Sequence, residues 1–189
     1  MYENQTEETT TAVLVAVDLG EYDVEISLAE LAELASTAAI EPVAELVQKR
    51  DSLDRATAIG GGKLAEVSLY IQNTGAGLVL FDHELTAVQL RNIEEACGVP
   101  VMDRTMLILE IFASRARSHE GQLQVELARN RYLLPRLTGI GTALSRLGGG
   151  GGGAGAGARR GKGETKLELD RRHLRRRITA LEEQLRDLT

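Results

Sequence analysis

Residues 12–19 (AVLVAVDL) are apolar throughout except for Asp18, the pattern of a strand buried on both faces in a parallel sheet. Leu28, Leu31, Leu34 and Ala35 then recur at helical spacing. That spacing predicts a helix running to Thr37, with Ser27 as its N-cap and Glu30 completing a capping box. Residues 43–49 alternate between apolar and polar positions behind Pro42, which predicts a second strand. Residues 57–59 lead into Gly60-Gly61-Gly62-Lys63 and a helix with Leu64, Val67 and Ile71 on one side. Residues 77–82 (GLVLFD) read as another buried strand. A helix follows, capped by Thr86, carrying Val88, Leu90, Ile93 and Ala96, and stopped by Gly98. Residues 99–103 predict a short last strand, and Thr105 opens a helix bearing Met106, Leu107, Leu109, Ile111 and Phe112. Strands alternating with helices predict an α/β domain over residues 12–117, a small parallel sheet with flanking helices and right-handed crossovers. Residues 1–11 are polar, acidic and rich in threonine, the composition of a disordered tail.

Beyond residue 117 the period changes. Leu174, Ile178, Leu181, Leu185 and Leu188 are spaced 4, 3, 4 and 3, with Leu167 one heptad earlier. This is a coiled-coil seam, and a seam needs a partner. Leu123, Leu127, Leu134 and Leu137 supply one upstream, with Asn130 at a polar position. Pro135 should kink or divide that first helix, because it lacks a backbone donor and its ring crowds the preceding turn. Between the two repeats lies GGGGGGAGAGARRGKGE, residues 148–164, which has almost nothing to bury. The reading is an antiparallel two-helix coiled coil over residues 118–189 with a long Gly-rich tip at 148–164, its second helix capped by Thr165 with Glu168.

Charge sharpens this division. The net charge of -6 hides a split. Residues 1–114 hold 6 Lys/Arg and 20 Asp/Glu, whereas residues 115–189 hold 16 and 8. A basic hairpin on an acidic body is the footprint of a protein that meets a polyanion end-on. The candidate contacts are Arg159, Arg160, Lys162, Lys166, Arg171, Arg172, Arg175 and Arg176. Aromatic residues are only 3% of the chain, so recognition of nucleic acid would rest on shape and phosphate rather than on stacking. The one cysteine, Cys97, rules out an internal disulfide and reads as a small buried hydrophobe. No stretch approaches the ~20 apolar residues of a membrane span, and no basic-then-apolar leader opens the chain. A cytoplasmic monomer is expected.

Catalytic motifs are scarce. Two Gly-Lys pairs invite comparison with a P-loop, which needs G-x-x-x-x-G-K-[ST] so that amides cradle phosphates and a hydroxyl binds Mg²⁺. Leu64 follows Gly62-Lys63 and Gly163 follows Gly161-Lys162, and Thr57 and Ala156 stand where the first glycines belong. Both sites fail. Gly60, Gly61, Gly62 and Lys63 do fit a G-x-G-x-x-A turn, with Asp82 ending a strand downstream. They mark a candidate anion or nucleotide site at a helix N-terminus. His83, His119 and His173 are scattered, so no metal site is predicted. Asp82, Glu84 and Asp103 read as helix caps after strands more readily than as catalytic carboxylates.

The sequence of residues 80–137, the Ile59-Gly60-Gly61-Gly62-Lys63 turn and GETKLELDRRHLRRRI at 163–178 resemble the HflX family of translational GTPases. That resemblance spans roughly residues 57–189. It implies an N-terminal α/β domain and a two-helix coiled coil preceding a GTPase domain, to which GTP and Mg²⁺ would belong. No catalytic residue, cofactor or GTP hydrolysis is then expected of residues 1–189. It further implies a ribosome-associated factor on the large subunit and its rRNA, able to split or rescue ribosomes under stress, with the hairpin tip near the peptidyl transferase centre. The tip departs from the family pattern. Its glycine run is longer, Arg159-Arg160 stands in a shifted frame, and Lys162 replaces a proline. Two other readings remain beside this one: an ATP-binding α/β domain using Gly60 to Lys63, and a coiled coil that only binds protein.

Overall fold

In a computed structural model, the chain is described over residues 9–137 and 160–188, with side chains of the final helix described from Glu168 onward. The strands are β1 (Thr10–Asp18), β2 (Ile40–Lys49), β3 (Leu78–Phe81) and β4 (Val101–Asp103). The helices among the described residues are α1 (Val24–Thr37), α2 (Gly61–Thr74), α3 (Ala87–Cys97), α4 (Arg104–Arg115), α5 (His119–Leu133) and α6 (Arg160–Asp187), with a 3-10 turn at Leu134–Arg136. The strands form one parallel sheet in the order β2-β1-β3-β4.

The apolar run at 12–17 becomes the central strand, and every one of its side chains is buried. Such a strand needs cover on both faces. Right-handed crossovers supply it, because β1-α1-β2 and β2-α2-β3 run in opposite directions across the sheet. Accordingly α1 contacts α4, and α2 contacts α3 on the other face. β2 is an edge strand, which explains how Pro42 is accommodated inside it rather than before it. The register slips by one residue between Ala12 and Val13, so that Pro42 faces Ala12 while Ala44 faces Val13. An edge position and a bulge are where a missing donor is tolerated.

Several predicted caps fall elsewhere. α1 begins at Val24, and Asp23 caps it by accepting from the amides of Glu25 and Ile26. Asp is as good a cap as Ser and stands four residues earlier, which releases Ser27 for another contact. α4 starts at Arg104 behind Asp103, so Thr105 lies within it. Thr86 and Gln89 do form a capping box, and Gly98 ends α3 at φ 69°. Pro135 acts as expected, since α5 stops at Leu133 and the 3-10 turn follows.

The hairpin has its own small core. Leu123, Leu127 and Leu181 are buried together, with Ile178 and Leu185 against them. The inward residue near the turn is Leu133, not Leu134, and it joins the main core along with Leu174 and Tyr132. Leu133 still belongs to α5 and continues its inward face, whereas Leu134 opens the 3-10 turn and is half-buried. Leu188, placed in the seam by its spacing, is exposed at the end of the chain. α6 begins at Arg160, so Thr165 lies inside the helix rather than at its start. Of the Gly-rich tip, residues 148–159 lie outside the described residues.

Candidate functional site

Three places carry chemistry. The first is the outer face of α6. Arg172, Arg175 and Arg176 are exposed and Arg171 is half-buried. Arg171 and Arg175 approach Glu168 at 3.9 and 3.8 Å, distances of loose surface pairs worth little. Arg172 and Arg176 have no ion pair among the described residues. Their neighbour Arg177 points the other way and is bound by Glu126. Packing divides the arginines: Ile178 and Leu181 face α5, and Arg172, Arg175 and Arg176, turned away from that seam, face water. Arg159 lies outside the described residues, and Arg160, Lys162 and Lys166 are placed on α6 by their backbone alone.

The second place is the Gly60 turn. Gly60 precedes α2 at φ -67° and offers no side-chain cap. Its amide donates to Gln48 Oε1 at 2.8 Å, and Lys63 Nζ pairs with Glu66 at 2.8 Å. A Cβ on Gly60 would stand 2.9 Å from Arg50 Nη1 and 3.2 Å from Gln48 Nε2. The glycine therefore permits close approach of β2 side chains. The segment before it holds an antiparallel bridge between Asp54 and Ala58, whereas a dinucleotide fingerprint follows a parallel strand directly.

The third place is the carboxyl edge of the sheet, where the strand order reverses between β1 and β3. Asp82 is buried. It accepts from Ser27 Oγ at 2.6 Å and Arg104 Nε at 2.8 Å, so it pairs across the molecule and caps no helix. Arg104 also donates to the Ser27 carbonyl at 2.7 Å and to Glu30 at 3.3 Å. His83 Nε2 lies 2.8 Å from the Val17 carbonyl, which fixes the proton on that nitrogen, and 3.4 Å from Tyr22 Oη. Asp103 is fully buried and does cap α4, accepting from the Met106 amide at 2.9 Å. Its other oxygen accepts from the Leu85 amide at 3.0 Å and from the Tyr132 hydroxyl. Glu84, predicted as a cap, instead meets Arg136 at 3.3 Å. Burial, then the bond to Asp103, pushes the Tyr132 phenol far above its usual range. Burial alone raises the Cys97 thiol to about 11, as fits a packed hydrophobe.

Ser27, Arg104, Tyr132 and Arg136 were not legible as partners in the sequence. The one signal was a pair of aspartates at the ends of adjacent strands. At the opposite edge of the sheet a cavity of about 600 Å³ opens between α1 and α4, bounded by Ile40, Leu78, Met102, Leu107 and Ile111. None of the predicted site residues lines it. Among the described residues no group of His, Cys, Asp and Glu is arranged to hold a metal, and no helix is long and apolar enough to cross a membrane.

Residues 25–113 match the family described as GTP-binding GTPase N-terminal, and residues 115–189 match the GTP-binding GTPase middle region. A GTPase HflX of Caldanaerobacter subterraneus is 51% identical over 94% of this chain and 40% of its own length. The GTPase HflX of Escherichia coli is 44% identical over 84% of this chain and 36% of its own length. The chain thus spans about two fifths of these relatives. A crystal structure of a GTP-binding protein from Sulfolobus solfataricus in complex with GDP superposes with a TM-score of 0.61 at 22% identity, over 95% of this chain and 45% of that one. That likeness concerns the fold.

Proposed function

The chain belongs to the HflX family of GTPases, carrying its N-terminal and middle regions, and from that premise we propose that it is a ribosome-binding module. In this reading the basic hairpin meets large-subunit rRNA, and the acidic α/β domain faces away. The module supports splitting or rescue of ribosomes under stress without hydrolysing GTP itself. GTP and Mg²⁺ would belong to another part of the parent protein. The rRNA contacts are Arg159, Arg160, Lys162, Lys166, Arg171, Arg172, Arg175 and Arg176, and the cell compartment is the cytoplasm.

The observation that carries this reading is the outward set Arg172, Arg175 and Arg176 on a helix whose other face is committed to α5. Lone surface arginines at this spacing, with only weak internal partners, are free to neutralise phosphates. A nucleotide site at Gly60 to Lys63 is the lesser reading. Gln48 already takes the Gly60 amide and Glu66 the lysine.

Sedimentation with purified large ribosomal subunits tests the proposal. Changing Arg159, Arg160 and Lys162 together to Ala should weaken co-sedimentation. Changing Glu30, Glu33 and Glu41 on the body should not. Equal loss from both triple variants would sink the proposal, as would no loss from the first. Calorimetry with ATP and GTP separates the nucleotide reading: heat that vanishes in Lys63→Ala would favour it.

A further inference from the structure

Arg136 lies back over Tyr132, with its guanidinium carbon 3.6 Å from the ring centroid. Pro135 makes this geometry. It ends α5, and the tight turn that follows returns the next side chain to the helix it has just left. From there Arg136 donates to the Tyr132 carbonyl at 2.9 Å, to the Leu85 carbonyl at 3.0 Å and to Glu84 at 3.3 Å. Tyr132 in turn donates through its hydroxyl to the buried carboxylate of Asp103. Leu85 is therefore held twice at its backbone. Its N–H goes to Asp103 of the α/β body, and its carbonyl receives Arg136 of the hairpin.

We propose that Asp103, Tyr132 and Arg136 form a joint that fixes the hairpin at one angle on the α/β body and ties that angle to residues 82–86. Two other kinds of contact between the parts set no such angle. Leu133 and Leu174 add apolar area to the main core, which attracts without direction and lets surfaces slide. Arg129 and Glu110 form an ion pair at 2.7 Å, each about one third exposed, and such pairs set little. The joint is directional. A planar guanidinium stacked on a ring has few ways to satisfy three acceptors at once, and a buried carboxylate loses much if a donor leaves. Residues 82–86 also hold Asp82 and His83 at the point where the strand order reverses. A turn of the hairpin would pull the Leu85 carbonyl and so reach that edge of the sheet. This inference does not depend on what the hairpin binds.

Pulsed electron-electron distance measurements on the full chain test it. Spin labels go on Glu95→Cys in α3 and Glu183→Cys in α6, both exposed, in a Cys97→Ala background. The parent should give one narrow distance distribution. Arg136→Ala and Tyr132→Phe should each broaden it at least about twofold and speed amide exchange at Leu85 roughly tenfold. Arg131→Ala, which removes only the exposed pair with Glu182, should change neither readout. Tyr132→Phe keeps the ring and removes one hydroxyl, so it carries the test even where Arg136→Ala fails to fold. Parent-like width and exchange in Tyr132→Phe would overturn the proposal, as would equal broadening in Arg131→Ala.

Discussion

Arg177 grips Glu126 with two parallel hydrogen bonds, Nε to Oε1 at 2.6 Å and Nη2 to Oε2 at 2.7 Å, and so pins α6 to α5 across the hairpin. These bonds hold the Glu126 carboxyl below its ordinary value near 4.5, with the charge of the guanidinium adding to them. The sign for stability follows. A carboxyl with a lower pKa folded than unfolded stabilises fully above its unfolded value, and that contribution is lost as pH falls through the folded one. Thermal melts between pH 6 and pH 3 should therefore show an acid-side decline that is shallower in Glu126→Gln. Both groups are partly exposed, so the difference will be small and will shrink in salt. A steeper decline in the variant would contradict the assignment.

The hairpin core gives a larger effect. Leu181 is fully buried against Leu123 and Leu127, and this cluster is separate from the core of the sheet. Leu181→Asp would bury an unpaired charge, at a cost of about 3–5 kcal/mol. Helical circular dichroism should fall while Cys97 stays protected from thiol reagents, because its burial belongs to the α/β core. Unchanged helicity would show that the seam is misassigned. Early labelling of Cys97 would show that the two cores melt together.

Two alanines occupy left-handed backbone, Ala39 at φ 57° and Ala58 at φ 63°. An L-residue there is strained by roughly 1–2 kcal/mol, which glycine avoids. The two sites differ in surroundings: Ala39 is exposed and Ala58 is fully buried. Ala39→Gly should raise stability by about 0.5–1 kcal/mol once the larger freedom of the unfolded glycine is subtracted. Ala58→Gly loses a buried methyl worth ~0.8 kcal/mol as well, and should be neutral or destabilising. Denaturant melts of both variants check this, and a reversed order would fail it.

These cases mark what a linear pattern can carry. β1 and the leucines of α6 were legible because continuous apolar runs and heptads report burial directly. The antiparallel pairing of α5 with α6 followed from a seam that needed a partner. Cap positions were less secure: Ser27 satisfies the rule for α1, yet Asp23 takes the Glu25 and Ile26 amides and Ser27 donates to Asp82 instead. Asp103 was read as a cap and is one, but its second oxygen serves Leu85 and Tyr132, contacts 18 and 29 residues away that no local pattern encodes. Leu133, the last residue of α5, took the inward place read for Leu134, because steps of three and four both keep to one face of a helix and spacing alone does not choose between them.

The division of arginines on α6 yields the sharpest prediction about binding. Arg172 and Arg176 are exposed without an ion pair among the described residues, whereas Arg177 is already committed to Glu126. A phosphate contact contributes to affinity by releasing counterions, and each one lost lowers the log-log salt slope by ~0.7–0.9. The double change Arg172→Ala and Arg176→Ala should then reduce the slope of large-subunit binding by roughly 1.4–1.8, with melting unchanged. Arg177→Ala should do the reverse, lowering the melting temperature while leaving the slope nearly intact, because its partner is a carboxylate within the hairpin. Co-sedimentation across a salt series, paired with thermal melts of the same variants, reads both quantities. If Arg177→Ala flattens the slope as much as the double change does, the hairpin is acting through its stability and not through an exposed basic face.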